Sequence, residues 1–89
     1  MEKEREEAIE KKVKEIITGQ FDITKAEIKD ETSFTKDFNA DSLELTELVL
    51  NFEDEFDIAV SDEDAKKLQT YADVRDYAKS HVPDRYFSR

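Results

Sequence analysis

Several residue types are absent or rare in this sequence, and each absence excludes a class of structure. The 89 residues include no cysteine, so the chain forms no disulfide and offers no thiolate to a metal ion. One glycine and one proline are present, and because tight turns depend on these residues, their scarcity favours helices over a turn-rich β fold. The single histidine, His81, is the one imidazole in the whole chain.

Long hydrophobic runs are also lacking. No apolar segment approaches the roughly 20 residues needed to cross a bilayer, so we expect no membrane insertion. Residues 1–7 (MEKEREE) are charged and have no apolar centre, so we expect no signal peptide and a cytoplasmic protein. The length is typical of one domain, with a core over about residues 4–82 and a tail over residues 83–89.

What the chain has in excess is negative charge, and this charge is concentrated in one stretch. Between Asp37 and Ala65 there are eleven carboxylates and neither lysine nor arginine. The formal net charge of the chain is -10, so the remaining residues are close to neutral. A face of one sign attracts basic partners and repels acidic ones. We therefore expect partner proteins with basic docking patches, and no binding to nucleic acid.

Clustered carboxylates also raise the question of a metal site. An EF-hand loop needs regular acidic spacing, a central glycine and a closing glutamate. The acidic run after Asp57 has no glycine at the required place. We therefore expect no dedicated metal site, and interpret the carboxylates as a surface.

The apolar spacing predicts an all-α fold, a small four-helix bundle with three longer helices and one short one. Helix I is predicted over Glu4–Thr18, with Gly19 ending it in the left-handed conformation. A long connection over residues 20–40 follows, and helix II is predicted over Ser42–Phe56. The residues predicted to face the core are Ile9, Val13, Ile16, Ile17, Phe21, Ile23, Ile28, Phe34, Phe38, Leu45, Leu48, Val49, Phe52, Phe56, Ala65, Leu68, Tyr71, Val74, Tyr77 and Ala78.

Capping signals mark the helix starts. Asp41 is a good N-cap for helix II, and Glu44 three residues later completes a capping-box pair. Ser61 is predicted to cap the short third helix, and Thr70 the fourth, which Pro83 stops. The pair of Thr24 and Glu27 predicts a further capped turn within the long connection.

Ser42, at the start of helix II, has three interpretations. Serine at a helix start is usually a cap, but here Asp41 can take that role and leave the hydroxyl free. A phosphate attached to a hydroxyl in the first helical turn is stabilised by the helix dipole and by free backbone N–H groups. Nucleophilic catalysis needs a base within reach, and His81 lies near the far end of the last predicted helix. We therefore favour a modified serine over a catalytic one.

A second feature of helix II is a pair of leucines outside its core stripe. Leu43 and Leu50 are seven residues apart, with Glu44, Glu47 and Asp54 beside them. Exposed leucines are ordinary in proteins. The same pattern is also typical of a docking surface, in which leucines give affinity and carboxylates give orientation. Beside a modifiable serine, we favour the docking surface.

Together these motifs resemble those of a free-standing acyl carrier protein, and the resemblance spans about Val13 to His81. The residues that carry it are Asp41-Ser42-Leu43, Glu44-Leu45-Thr46-Glu47-Leu48-Val49, Phe52-Glu53-Asp54-Glu55-Phe56 and Asp62-Glu63-Asp64-Ala65. In that family, a phosphopantetheinyl transferase moves 4'-phosphopantetheine from coenzyme A onto the serine of the Asp-Ser-Leu motif, here Ser42. The thiol of this arm then carries acyl groups as thioesters.

The resemblance implies a carrier without catalytic activity of its own, in fatty-acid or related lipid or polyketide biosynthesis. Asp41 would help to orient the transferase reaction. Partner enzymes such as synthases, reductases and acyltransferases would supply the catalytic groups, and would meet a monomer through transient contacts. The residues implied to contact them are Leu43, Glu44, Glu47, Leu50, Glu53, Asp54 and Val60.

Some residues depart from the family pattern. Asn39 stands where the family often has glycine, but asparagine tolerates a positive φ. Phe52 and Tyr71 are bulkier than the aliphatic residues usual at these places, which predicts a short or reshaped acyl groove.

Three alternative functions remain: a peptidyl or aminoacyl carrier, an interaction module that lacks the arm but uses the same surface, and an independent enzyme.

Overall fold

The computed structural model describes residues 2–83, without the side chains of residues 2 and 3, and residues 84–89 of the predicted tail lie outside the described part. Its elements are α1 (Glu2–Gln20), a 3₁₀ turn (Lys25–Glu27), α2 (Ser42–Phe56), α3 (Asp62–Lys67) and α4 (Tyr71–His81). The predicted all-α architecture, with three longer helices and one short one, is confirmed. None of the helices in residues 2–83 is both long and apolar enough to cross a membrane.

The first helix is longer at both ends than the predicted Glu4–Thr18, and the predicted left-handed end at Gly19 is wrong. Gly19 lies inside α1, and no glycine in residues 2–83 has a positive φ. Helical pairing continues past it, because the backbone N–H of Phe21 donates to the carbonyl of Ile17 at 2.9 Å. This turn buries the Phe21 ring. Burying such a ring gains about 1.5–3 kcal/mol, more than the roughly 1 kcal/mol that a helical glycine costs.

The predicted starts of α3 and α4 are confirmed. The Ser61 hydroxyl accepts the Asp64 backbone N–H at 3.1 Å. Thr70 and Asp73 form a reciprocal pair, since the Thr70 hydroxyl accepts the Asp73 N–H at 3.2 Å and the Asp73 carboxylate accepts the Thr70 N–H at 3.0 Å. These side chains satisfy backbone donors that a helix start leaves without a carbonyl partner.

Three phenylalanines at separate positions along the long connection between α1 and α2 anchor it to the bundle. Phe21, Phe34 and Phe38 form a cluster with ring centroids 5.3–6.3 Å apart. Glu27 accepts the Thr24 N–H at 3.2 Å and closes the predicted turn. An irregular segment of this length therefore stays packed against the bundle.

Polar contacts attach the same connection to the start of α4. The carboxylate of Asp30 lies 2.7 Å from the guanidinium of Arg75. The carbonyl of Thr32 accepts the N–H of Tyr71 at 3.0 Å, and the N–H of Phe34 donates to the carbonyl of Gln69 at 3.2 Å. These contacts hold the segment that leads into α2.

The predicted inner faces of the helices meet in one core. The buried members are Ile9, Val13, Ile17, Phe21, Ile28, Phe34, Leu48, Phe52, Phe56, Leu68, Tyr71, Val74 and Ala78, joined by Ala40 and Val82. Ile16, Ile23, Phe38, Leu45, Val49 and Tyr77 pack against this core and are partly buried. Of these, Leu45 and Val49 of α2 line a groove beside the helix.

Among the described side chains, one buried polar atom is left without a hydrogen-bond partner, the hydroxyl oxygen of Tyr71. The Tyr71 side chain is 2% exposed, and its hydroxyl makes no hydrogen bond within the described residues. The ammonium of Lys14 and the guanidinium of Arg75 each lie 5.5 Å from its ring centroid. Burial raises the pKa of Tyr71 to about 12, because the charged phenolate is poorly solvated there.

We therefore expect Tyr71→Phe to raise the free energy of unfolding by about 1 kcal/mol, because a buried hydroxyl without a partner costs about 1–3 kcal/mol. Urea denaturation measures the change. Tyr77→Phe is the matched control, since the Tyr77 hydroxyl donates to Asp64 at 3.1 Å, and losing this bond should cost about 0.5–1.5 kcal/mol. Equal destabilisation by both variants would contradict this account of Tyr71.

Candidate functional site

The first turn of α2 is closed by a reciprocal pair of carboxylates. The Asp41 carboxylate accepts the backbone N–H of Glu44 at 2.8 Å, and the Glu44 carboxylate accepts the N–H of Asp41 at 3.2 Å. The predicted capping box at Asp41 is therefore present. Because these two side chains do the capping, the serine between them is not needed for it.

Ser42 is the first residue of α2 and is exposed to solvent. Its carbonyl accepts the hydroxyl of Thr46 at 2.8 Å, whereas its own hydroxyl has no hydrogen-bond partner within residues 4–83. The N–H groups of Ser42 and Leu43 belong to the first helical turn, where they have no carbonyl of the helix to pair with. A phosphate on the Ser42 oxygen would therefore lie at the positive end of the helix dipole, beside free donors.

The turn that delivers the chain to Ser42 depends on the conformation of Asn39. Asn39 has a φ of 55°, in the left-handed region that asparagine tolerates better than most residues. The next residue, Ala40, is buried, and its N–H donates to the carbonyl of Phe34 at 2.9 Å. The expectation that asparagine can replace glycine here is confirmed, and the turn is fixed to the core two residues before the serine.

Gln20, at the end of α1, holds the other side of this turn, and sequence reasoning missed it. Its side-chain amide donates to the carbonyl of Glu44, while its oxygen accepts the amide of Asn51 at 3.1 Å. The first and third turns of α2 are thereby linked to one residue of α1. A glutamine after a glycine carries no periodicity or capping signal, so the pattern gave no means of finding it.

The two leucines predicted to lie outside the core stripe are the exposed large hydrophobic residues of the described chain. Leu43 is 65% exposed and Leu50 is 56% exposed. Glu47 and Asp54, on the same helix, are also exposed. We call these four residues the docking ridge: apolar side chains with carboxylates beside them.

The other residues predicted to contact partners are less exposed, and the carboxylates among them accept hydrogen bonds from the backbone of this chain. Glu44 is half-buried and belongs to the capping box. Glu53 is half-buried too, and its carboxylate accepts the N–H of Val60 at 2.7 Å. This bond holds the segment that connects α2 to α3, where Val60 is half-buried. The structure therefore gives Glu44 and Glu53 a local structural role.

A groove with a volume of about 470 Å³ runs between α2 and α3, and Ser42 forms part of its wall. Apolar side chains line much of it, among them Leu45, Val49, Leu50 and Val60. A group attached to Ser42 thus starts at the edge of an apolar groove. The same helix presents the serine, one wall of the groove and the docking ridge.

Comparison with known proteins identifies the class. The chain matches the family described as the phosphopantetheine attachment site over residues 11–78. It belongs to that family, whose members carry 4'-phosphopantetheine. Among solved structures, the acyl carrier protein from Enterococcus faecalis is similar: it is 41% identical, the match covers 84% of this chain and 95% of that one, and the TM-score is 0.74. The protein is accordingly a carrier of the acyl carrier protein type, not an enzyme.

The capping box makes a testable prediction about stability. Asp41→Ala should lower the free energy of unfolding by about 0.5–2 kcal/mol, because the Glu44 N–H loses its acceptor. Asp41→Asn should cost much less, since asparagine caps as well as aspartate does. Urea denaturation of both variants measures the difference. An equal loss in both would show that charge, rather than capping, stabilises this turn.

Proposed function

We propose that Ser42 carries the 4'-phosphopantetheine arm, and that the protein presents acyl thioesters to partner enzymes through α2. The observation that carries this proposal is that residues other than Ser42 cap the start of the helix. Asp41 and Glu44 satisfy the capping positions, which leaves an exposed serine hydroxyl with no partner in the described chain. In a chain of the phosphopantetheine attachment family, this hydroxyl is the best-placed acceptor.

The attachment reaction needs little from this chain beyond a positioned oxygen. The Ser42 oxygen forms a phosphodiester bond to the phosphorus that bears pantetheine in coenzyme A, and adenosine 3',5'-bisphosphate leaves. The hydroxyl proton goes to a base of the transferase. The helix dipole and the N–H groups of Ser42 and Leu43 stabilise the product anion by about 0.3–1 kcal/mol, and Asp41 keeps the serine at the first helical position.

We infer that a carried acyl group would lie in the groove beside Ser42. When bound, the arm supplies the terminal thiol on which acyl groups form thioesters. Leu45, Val49 and Val60 offer apolar surface along the groove, so an alkyl chain loses contact with water by lying there. The same surface would suit fatty-acid or related lipid or polyketide intermediates.

The docking ridge supplies a surface for partners. Leu43 and Leu50 are exposed apolar side chains, and Glu47 and Asp54 would orient basic patches on synthases, reductases, acyltransferases and the transferase. We assign Glu44, Glu53 and Val60 to this surface in a supporting role. The proposal takes the whole chain as one carrier domain, monomeric and with transient contacts.

An interaction module without an arm is the second candidate, because the ridge is exposed whether or not Ser42 is modified. Intact-protein mass after incubation with coenzyme A, magnesium and a promiscuous phosphopantetheinyl transferase separates the two. The parent should gain one phosphopantetheine and Ser42→Ala none. Ser61→Ala is the matched control, since it removes another serine at a helix start and should be loaded like the parent. A folded parent that gains no mass would favour the module.

The docking ridge can be tested by charge reversal. Glu47→Lys and Asp54→Lys should slow loading by the transferase by about tenfold at low salt, because opposite charges accelerate association. Added salt should shrink the difference, since it screens exposed charges. Glu31→Lys makes the same charge change at an exposed position between α1 and α2. Equal slowing by all three variants would show that net charge, and not the ridge, determines the rate.

A further inference from the structure

Beside the groove at Ser42 lies a second, smaller space, the inner cavity, that is more enclosed than the groove. A cavity of about 30 Å³ lies next to the groove, and Leu45, Val49 and Ala65 line both spaces. The inner cavity has room for about one or two water-sized groups. Since its walls are apolar side chains, it offers room to the end of an alkyl chain rather than to a polar group.

Phe52 lines the inner cavity and does not line the outer groove. Its side chain is 1% exposed. The ring packs against Phe56, with centroids 5.0 Å apart, and against Tyr77, with centroids 6.1 Å apart. A chain that passed between Leu45 and Ala65 would therefore soon meet an aromatic ring that other rings support.

The support behind Phe52 is itself fixed. Tyr77 donates its hydroxyl to Asp64 of α3 at 3.1 Å, and its ring stacks on His81 with centroids 3.9 Å apart. Moving Phe52 aside would displace a side chain that joins α4 to α3. Closely packed interiors resist such shifts, and removing or inserting even one methylene is felt.

We propose that Phe52 determines the length of acyl chain that this carrier can shelter: a short chain fills the inner cavity, and the rest of a longer chain stays in the outer groove. The proposal rests on the attachment at Ser42. It assigns to Phe52 a specificity role that depends on its size. A smaller side chain at this position would extend the inner cavity toward Tyr77 and Phe56.

The test uses the full chain loaded at Ser42 with butanoyl, octanoyl or dodecanoyl phosphopantetheine, supplied as the acyl-coenzyme A with a promiscuous transferase. Intact mass first verifies loading, and thermal unfolding then gives the stabilisation for each chain length. Phe52→Val removes the ring from the cavity wall. Phe34→Val is the matched control, because Phe34 is equally buried at 0% exposure but lines neither space.

For the parent and for Phe34→Val, we expect each methylene added beyond the butanoyl form to stabilise less than it does in Phe52→Val, because it lies in the outer groove and is only partly removed from water. For Phe52→Val, the octanoyl form should be more stable than the butanoyl form, with the folding equilibrium constant rising about fourfold for each further methylene buried. Chain-length profiles of the same shape in the parent and in Phe52→Val would overturn the proposal. A parent that cannot be loaded would refute the attachment at Ser42 itself, and this inference with it.

A measurement on the parent alone decides the matter if Phe52→Val does not fold. In the octanoyl form, nuclear Overhauser contacts from the terminal methyl group should go to Leu68 and Val74, which line the inner cavity together with Phe52. Contacts to Phe56 or Tyr77, which pack against the Phe52 ring and line neither space, would show that the chain passes Phe52 and would overturn the proposal. Contacts to Leu50 and Val60 alone would show that the chain end stays in the outer groove, and would overturn it as well.

Discussion

The reciprocal hydrogen bonds between Asp41 and Glu44 are the interaction on which the rest of the site depends. A helix start has backbone donors that need acceptors, and these two carboxylates provide them on either side of Ser42. The serine is thereby left as an exposed hydroxyl at a fixed place. If Ser42 itself were the cap, its oxygen would be occupied, and the helix would have to open to release it.

The fold holds this helix start in place from three directions. Ala40 is buried two residues before the serine, and its N–H is bonded to Phe34 in the connection. From α1, Gln20 binds the Glu44 carbonyl and the Asn51 amide. Inside the bundle, Phe52 and Phe56 anchor the same helix in the core. One helix can then present a modifiable serine, an apolar groove and an exposed ridge, because its position does not depend on any of them.

Much of this arrangement could be predicted from the sequence because it depends on local rules. Capping residues at Asp41, Ser61 and Thr70 act within three residues of themselves, and a helical period decides which side chains turn inward. The start of α2 and its exposed leucines follow from such rules, whereas the positive φ of Asn39 is expected from the family resemblance. These rules depend only on the types and spacing of neighbouring residues, so applying them needs no knowledge of distant contacts.

What could not be predicted depends on contacts between distant segments. Gly19 has the local signature of a helix end, but the burial of Phe21 carries α1 past it. Gln20 bonds with residues 24 and 31 positions away, and Glu53 is committed to the N–H of Val60. An acidic side chain looks the same in the sequence whether it faces a partner or closes a turn.

The most direct test of the account is to locate the arm on the loaded protein by tandem mass spectrometry. Trypsin cuts after Lys36 and Lys66, and since neither lysine nor arginine lies between them, Ser42, Thr46 and Ser61 share one peptide. Fragment ions are therefore needed to separate the three hydroxyls. We predict that every modified fragment places phosphopantetheine on Ser42. Phosphopantetheine on Thr46 or Ser61 would contradict the claim that the capping pair leaves Ser42 as the acceptor.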